Sequence, residues 1–133
     1  MPKTINGLDG LEKAIKDSRD HKVTIIDFKA DWCPPCQYIG PKFEAIEKEF
    51  EDKNIGFYQV DVEQNVDVLK ACKIRAMPTF KFFKYGKAVD KIEGADEEGI
   101  REKLGAFADN SWVPPPPGQS DAFDDDMEDD FDN

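Results

Sequence analysis

Two cysteines carry the most chemistry in this sequence: Cys33 and Cys36, separated only by Pro34 and Pro35. Thiols at this spacing can exchange electrons with another disulfide or supply half of a tetrahedral metal site. The metal reading needs two more ligands, and only Cys72 and His21 remain, each alone in its stretch. Redox chemistry is the better fit. The thiolate is the reactive form of cysteine, and unpaired N–H groups at a helix N-terminus lower its pKa from ~8.5 toward ~7 or below. Cys33 is placed to be that thiolate. Cys36 is one turn in on the same side and can attack a mixed disulfide held on Cys33, releasing the product. The prolines suit a first helical turn, where their missing N–H groups would be unpaired anyway. Pro34 holds Cys33 extended, although Pro35 pushes Pro34 away from helix as well. Together they leave the Cys36 amide as the nearby donor to the sulfur.

Asp27, six residues before Cys33, is a carboxylate inside the apolar run HKVTIIDFKA. Strand alternation puts it on the face of Val23 and Ile25. An ionised carboxylate is costly there, so its pKa should be raised. Such a group can take a proton from Cys36 as that thiol becomes a nucleophile, then return it. Asp27 could instead be paired or end a strand; its place before the cysteines favours the functional reading.

The elements that must position these residues are legible from periodicity. Ile5 marks a short first strand. Leu8, Leu11, Ala14 and Ile15 recur at helical spacing, predicting a helix over about 8–19. Val23, Ile25, Ile26 and Phe28 read as a strand buried on both faces. A helix from Pro34 to Phe50 carries the stripe Ile39, Phe43, Ile46 and Phe50, with a kink expected at Pro41. NIGFYQVDV is a second apolar strand, EQNVDVLKACK a short helix, and TFKFFKYGKAVDKIEG a hairpin turning near Tyr85–Gly86. DEEGIREKLGAFA is a last helix weakened by Gly99. The order β-α-β-α-β-α-β-β-α predicts an α/β fold, a mixed central sheet of about five strands with helices on both faces.

The chain has 133 residues, enough for one domain with a real core. Its net charge is −11, unevenly spread. Nine of the 29 acids fall in 109–133, which has no Lys or Arg, leaving 20 acids against 18 bases over 1–108. We therefore divide the chain into a near-neutral domain, 1–108, and a spacer with an acidic tail, 109–133. Phosphate contacts need clustered cations, so nucleic acid is a poor partner. No apolar run approaches the ~20 residues that span a bilayer, so no membrane association is expected. The opening MPKTINGLDG has no apolar signal core. A cytoplasmic location is expected, with the nucleus as a second compartment; reduced thiol pools there argue against a structural disulfide. SWVPPPPGQS reads as a polyproline II spacer, and the stretch from Asp121 as disordered when free. Phe123, Met127 and Phe131 would share a helical face, so the tail could act as a binding module. It could also lie on the basic stretch around Lys73, Arg75, Lys81 and Lys84, or be a solvated spacer.

From Thr4 to about Ala108 the chain resembles the thioredoxin family. The resemblance rests on DFKADWCPPC, Pro41, VDVEQN, AMPTFKFFKYGK and IEGAD. It implies the thioredoxin fold and a protein-disulfide reductase, with Cys33 as nucleophile, Cys36 as resolving thiol and Asp27 as buried proton carrier. Trp32 would lie over the disulfide. Pro78 would be cis, with Met77 exposing its backbone to a substrate segment and Gly94 flanking that groove. The resemblance implies no bound cofactor, a monomer, and electrons arriving from NADPH through a flavoprotein, thioredoxin reductase. Substrates would be protein disulfides, including peroxiredoxin-like and reductase-like ones. Pro-Pro replaces the family's usual Gly-Pro and is more typical of tryparedoxins and some bacterial thiol reductases, so a carrier reduced by a small dithiol is the alternative. Against it, the chain lacks obvious insertions beyond a minimal thioredoxin. Bacterial thioredoxins often set a lysine from the third strand near the buried aspartate; Phe57 takes that place here. Cys72 reads either as a small buried apolar residue or as the oxidisable extra cysteine of some animal thioredoxins.

Overall fold

The computed structural model describes residues 1–19 and 23–108. His21, the spacer and the acidic tail lie outside the described residues. The elements are β1 (Lys3–Thr4), α1 (Gly7–Asp17), β2 (Val23–Lys29), α2 (Pro34–Glu49), β3 (Ile55–Asp61), α3 (Val66–Ala71), β4 (Thr79–Lys84), β5 (Lys87–Glu93) and α4 (Glu97–Ala108). The sheet order is β1-β3-β2-β4-β5. β1, β3 and β2 run parallel, while β4 is antiparallel to both β2 and β5. This is the expected five-stranded mixed sheet with helices on both faces.

Alternation along β2 builds two cores. Ile26 and Phe28 join Leu11 and Ala14 of α1, Tyr58 and Val60 of β3, and Val68 and Cys72 on one face. Val23 and Ile25 join Ile39, Phe43 and Ile46 of α2, Phe80 and Phe82 of β4, and Ile100, Leu104 and Phe107 of α4 on the other. A strand covered on both sides needs apolar residues at every position, hence the near-continuous run. Asp27 is the fully buried charged residue of that strand, 1% exposed, while Lys29 at its end is half-buried.

Several boundaries differ from expectation for physical reasons. The first strand is Lys3–Thr4, with Ile5 just beyond it, its N–H donating to the Gln59 carbonyl at 2.9 Å. α1 ends at Asp17, with Ser18 as its C-cap. Its hydroxyl donates to the Ile15 carbonyl at 2.5 Å and accepts from the Gly86 N–H at 2.7 Å, tying the helix end to the β4–β5 turn. In that turn Tyr85 (φ 57°) and Gly86 (φ 82°) are both left-handed, the conformation that matches strand twist in a two-residue hairpin. α2 starts at Pro34 and runs on through Pro41. α4 holds Gly99, whose N–H donates to the Asp96 carboxylate at 2.9 Å, a cap that offsets glycine's low helix propensity.

The basic stretch read as a surface for the tail is not all surface. Lys81 and Lys84 are 2% and 3% exposed. Lys81 Nζ donates to the Cys72 carbonyl at 2.9 Å, which satisfies an interior ammonium. Both lysines belong to a strand whose six residues are all buried.

Candidate active site

β2 delivers the chain through Ala30, Asp31 and Trp32 to Cys33, the N-cap of α2. Cys33 is extended (φ −80°, ψ 113°), as a residue before proline should be. Pro34 and Pro35 occupy the first helical positions, where no intrahelical N–H partner exists. With their donors gone, the Cys36 N–H points at Cys33 Sγ at 3.2 Å. That bond, with the open end of a 16-residue helix behind it, favours negative charge on Cys33 sulfur.

Cys33 and Cys36 are joined as a disulfide with Cα atoms 5.2 Å apart. The residues are 3% and 4% exposed, so burial does not distinguish them. Their surroundings do. Cys33 Sγ lies 3.5 Å from the Met77 carbonyl oxygen. Cys36 lines a cavity of about 280 Å³ together with Asp27. Lys29, Asp31, Glu44, Gln59 and Pro41 also border that cavity.

Asp27 Oδ1 is buried without a hydrogen-bond partner. Burial pushes this carboxyl up from 3.8 to about 7, opposed by the charge of Lys29. Phe57 pairs with Ile25 in the β2–β3 register and packs its ring 5.6 Å from Phe43, so β3 offers an aromatic ring here rather than a cation. The cation comes from β2 itself. Sequence reasoning missed Lys29, and also Gln59, the register partner of Asp27. The i, i+2 spacing of Asp27 and Lys29 was the available signal for the lysine.

The peptide bond Met77–Pro78 is cis. Met77 packs against Ala30, Cys33 and Cys36. Gly94 donates its N–H to the Pro78 carbonyl at 2.8 Å, which sets it beside the Met77–Pro78 loop. Its φ of +114° suits glycine, and the space a Cβ would fill is open. Trp32, next to Cys33, is 58% exposed. Cys72 is apart from this group, fully buried in the α1/α3 core. Among the described residues, no three His, Cys, Asp or Glu side chains are grouped to hold a metal ion.

A redox pair at a helix mouth, beside a proline loop on a mixed sheet of this order, defines a class of thiol–disulfide exchange proteins. Comparison with known proteins narrows the class. The thioredoxin family model matches residues 8–106. Thioredoxin from Geodia cydonium is 52% identical over 94 residues, covering 70% of this chain and 86% of that protein. Thioredoxin from Ictalurus punctatus is 41% identical over 100 residues, covering 75% and 92%. The solved thioredoxin of Malassezia sympodialis superposes with a TM-score of 0.73 at 37% identity, covering 81% of this chain and 91% of that one. Fasciola hepatica thioredoxin gives 0.73 at 38% identity, covering 79% and 98%. The chain belongs to the thioredoxin family. It is a protein-disulfide reductase that works by dithiol–disulfide exchange through Cys33 and Cys36. Its relatives are thioredoxins, which does not favour the tryparedoxin-like alternative.

Proposed function

We propose that Cys33 is the nucleophile, Cys36 the resolving thiol and Asp27 the proton carrier of this reductase. The Cys33 thiolate attacks one sulfur of a protein disulfide. That S–S bond breaks, a Cys33–target disulfide forms, and the departing thiolate takes a proton from solvent. The Asp27 carboxylate then accepts the Cys36 S–H proton. Cys36 sulfur attacks Cys33 Sγ, closing the internal disulfide and expelling the second target thiolate, which is protonated in turn. The target gains two electrons and two protons; the pair supplies both electrons and, through Asp27, the Cys36 proton, and solvent supplies the other proton. The observation that carries the assignment is positional: Asp27 and Cys36 border one cavity, while Cys33 sulfur caps α2. A carboxyl titrating near 7 serves as both acceptor and donor at neutral pH.

Trp32, Met77, Pro78 and Gly94 form the substrate groove in this reading. Support comes from the exposed indole beside Cys33, from Met77 packed on the disulfide, and from the Gly94–Pro78 hydrogen bond joining the two loops. The oxidised pair is reduced by a flavoprotein thioredoxin reductase using NADPH, and the working form is a monomer in the cytoplasm, where thiol pools are reduced. Peroxiredoxin-like proteins are among the substrates. A structural relative at TM-score 0.71 and 27% identity comes from work on thiol resolution in a yeast mitochondrial 1-Cys peroxiredoxin.

The test is insulin-disulfide reduction driven by NADPH and thioredoxin reductase. Wild type turns over. Cys33→Ser does not, and Cys36→Ser accumulates a mixed disulfide visible on a non-reducing gel. Normal turnover by Cys36→Ser would remove its resolving role. Reduction sustained by a small dithiol, with the reductase inactive, would replace the proposed partner.

A further inference from the structure

The cavity behind the disulfide holds a charge arrangement that the exchange steps alone do not use. Asp27 and Lys29 are two residues apart on β2 and point to the same face. Both border the cavity, and Lys29 is the one cation among the described residues that line it. Its ammonium is 3.1 Å from Asp31 Oδ1, in a pair whose side chains are 24% and 75% exposed. Asp27 has one oxygen buried without a partner. The titratable groups facing Asp27 are therefore Lys29 and Asp31 from its own stretch and Cys36 and Glu44 from α2. Its register neighbours, Gln59 on β3 and Phe80 on β4, carry no charge.

We propose that Lys29 is a positioning residue for the resolving step, its ammonium shared between Asp31 at the cavity mouth and Asp27 inside. The proposal rests on Asp27 as proton carrier. Burial disfavours the ionised carboxylate that must accept the Cys36 proton. A cation on the same cavity wall favours it, and an exposed pair with Asp31 is weak enough to be drawn on. With Asp27 ionised, Lys29 faces inward. Once Asp27 holds the proton, the field that draws Lys29 inward is gone and the ammonium returns to Asp31. Asp31 thus limits how far Lys29 lowers the proton affinity of Asp27, and Glu44 opposes Lys29 from the helix side.

The experiment is a carbon-13 NMR titration of the Asp27 side-chain carboxyl in the full-length oxidised protein. Lys29→Met should move the midpoint up by roughly one pH unit. Lys29→Arg should restore it. Asp31→Asn should move it down, because the ammonium then faces Asp27 alone. Opposite signs from the two neutralising variants are not produced by a shared structural disturbance, and thermal melts establish that each variant is folded. A midpoint unmoved in Lys29→Met, or moved the same way in both variants, would overturn the proposal. The pH profile for resolution of a Cys33 mixed disulfide reads the underlying mechanism separately. If NMR midpoints shift as stated and this profile does not follow, Lys29 still governs Asp27 while Asp27 loses its role as proton carrier.

Discussion

Asp27 shows how burying one carboxyl makes stability depend on pH. Its carboxyl titrates near 7 in the folded chain and near 3.8 when solvated. Below about pH 3.8 both states hold the proton and the residue adds no pH dependence. Between the two values the folded chain binds the proton and the unfolded chain does not, so stability falls as pH rises through this window. Above about 7 the full penalty is present, on the order of 4 kcal/mol. Asp27→Asn should therefore stabilise the protein by a few kcal/mol at pH 8 and by little at pH 4, measured by urea denaturation at each pH. Equal stabilisation at both values would mean that burial is not what raises this carboxyl.

At the scale of elements, the helix mouth and the hairpin turn depend on side chains that mend backbone ends. The α2 N-terminus uses two prolines and a sulfur for this, so its capping group is also its reactive group. Ser18 does the equivalent for α1 and the β4–β5 turn, accepting from Gly86 while its own carbonyl accepts from Tyr85 at 3.2 Å. Ser18→Ala removes the acceptor of the part-buried Gly86 N–H, at a cost of about 0.5–1.5 kcal/mol, the net worth of one such hydrogen bond. The expected result is a melting temperature lowered by several degrees, roughly 4–8 °C per kcal/mol for a domain of this size. Amide exchange at Gly86 should quicken with it; unchanged exchange would mean that solvent already serves this turn.

For the whole molecule, the central strand β2 explains why Asp27 is buried and yet connected to the redox pair. Flanked by β3 and β4 and covered on both faces, it places Asp27 deep inside, one cavity away from Cys36. The pair itself sits where the strand ends and the helix starts, at the edge of the sheet's carboxyl side. Residues 109–133, outside the described part, extend this body with nine acids. Lys81 and Lys84 are interior, which weakens the case for the tail settling on that basic stretch. A chain ending at Ala108 should reduce insulin at the full-length rate in low salt, where screening is least. A rate change that disappears as salt is added would instead show an electrostatic contact between tail and body.

What the sequence determined by itself was whatever depends on neighbours along the chain. The Cys33–Cys36 pair and its prolines, the buried run around Asp27, the stripe of Ile39, Phe43 and Ile46, and the Tyr85–Gly86 turn are all local patterns, governed by periodicity and backbone sterics. The expected order of strands and helices follows from them. Tertiary structure decided what required distant residues to meet. It set the Ser18 hydroxyl, at the C-cap of α1, to accept from the Gly86 N–H in a turn almost seventy residues away. It buried Lys81 against the Cys72 carbonyl, although lysine by type belongs in water. It brought Glu44 of α2 and Gln59 of β3 to the cavity that Asp27, Lys29 and Cys36 border, a meeting no linear spacing encodes. The reason is range: hydrophobic patterning fixes which face of an element turns inward, but only the packed sheet fixes which polar groups must then share the interior.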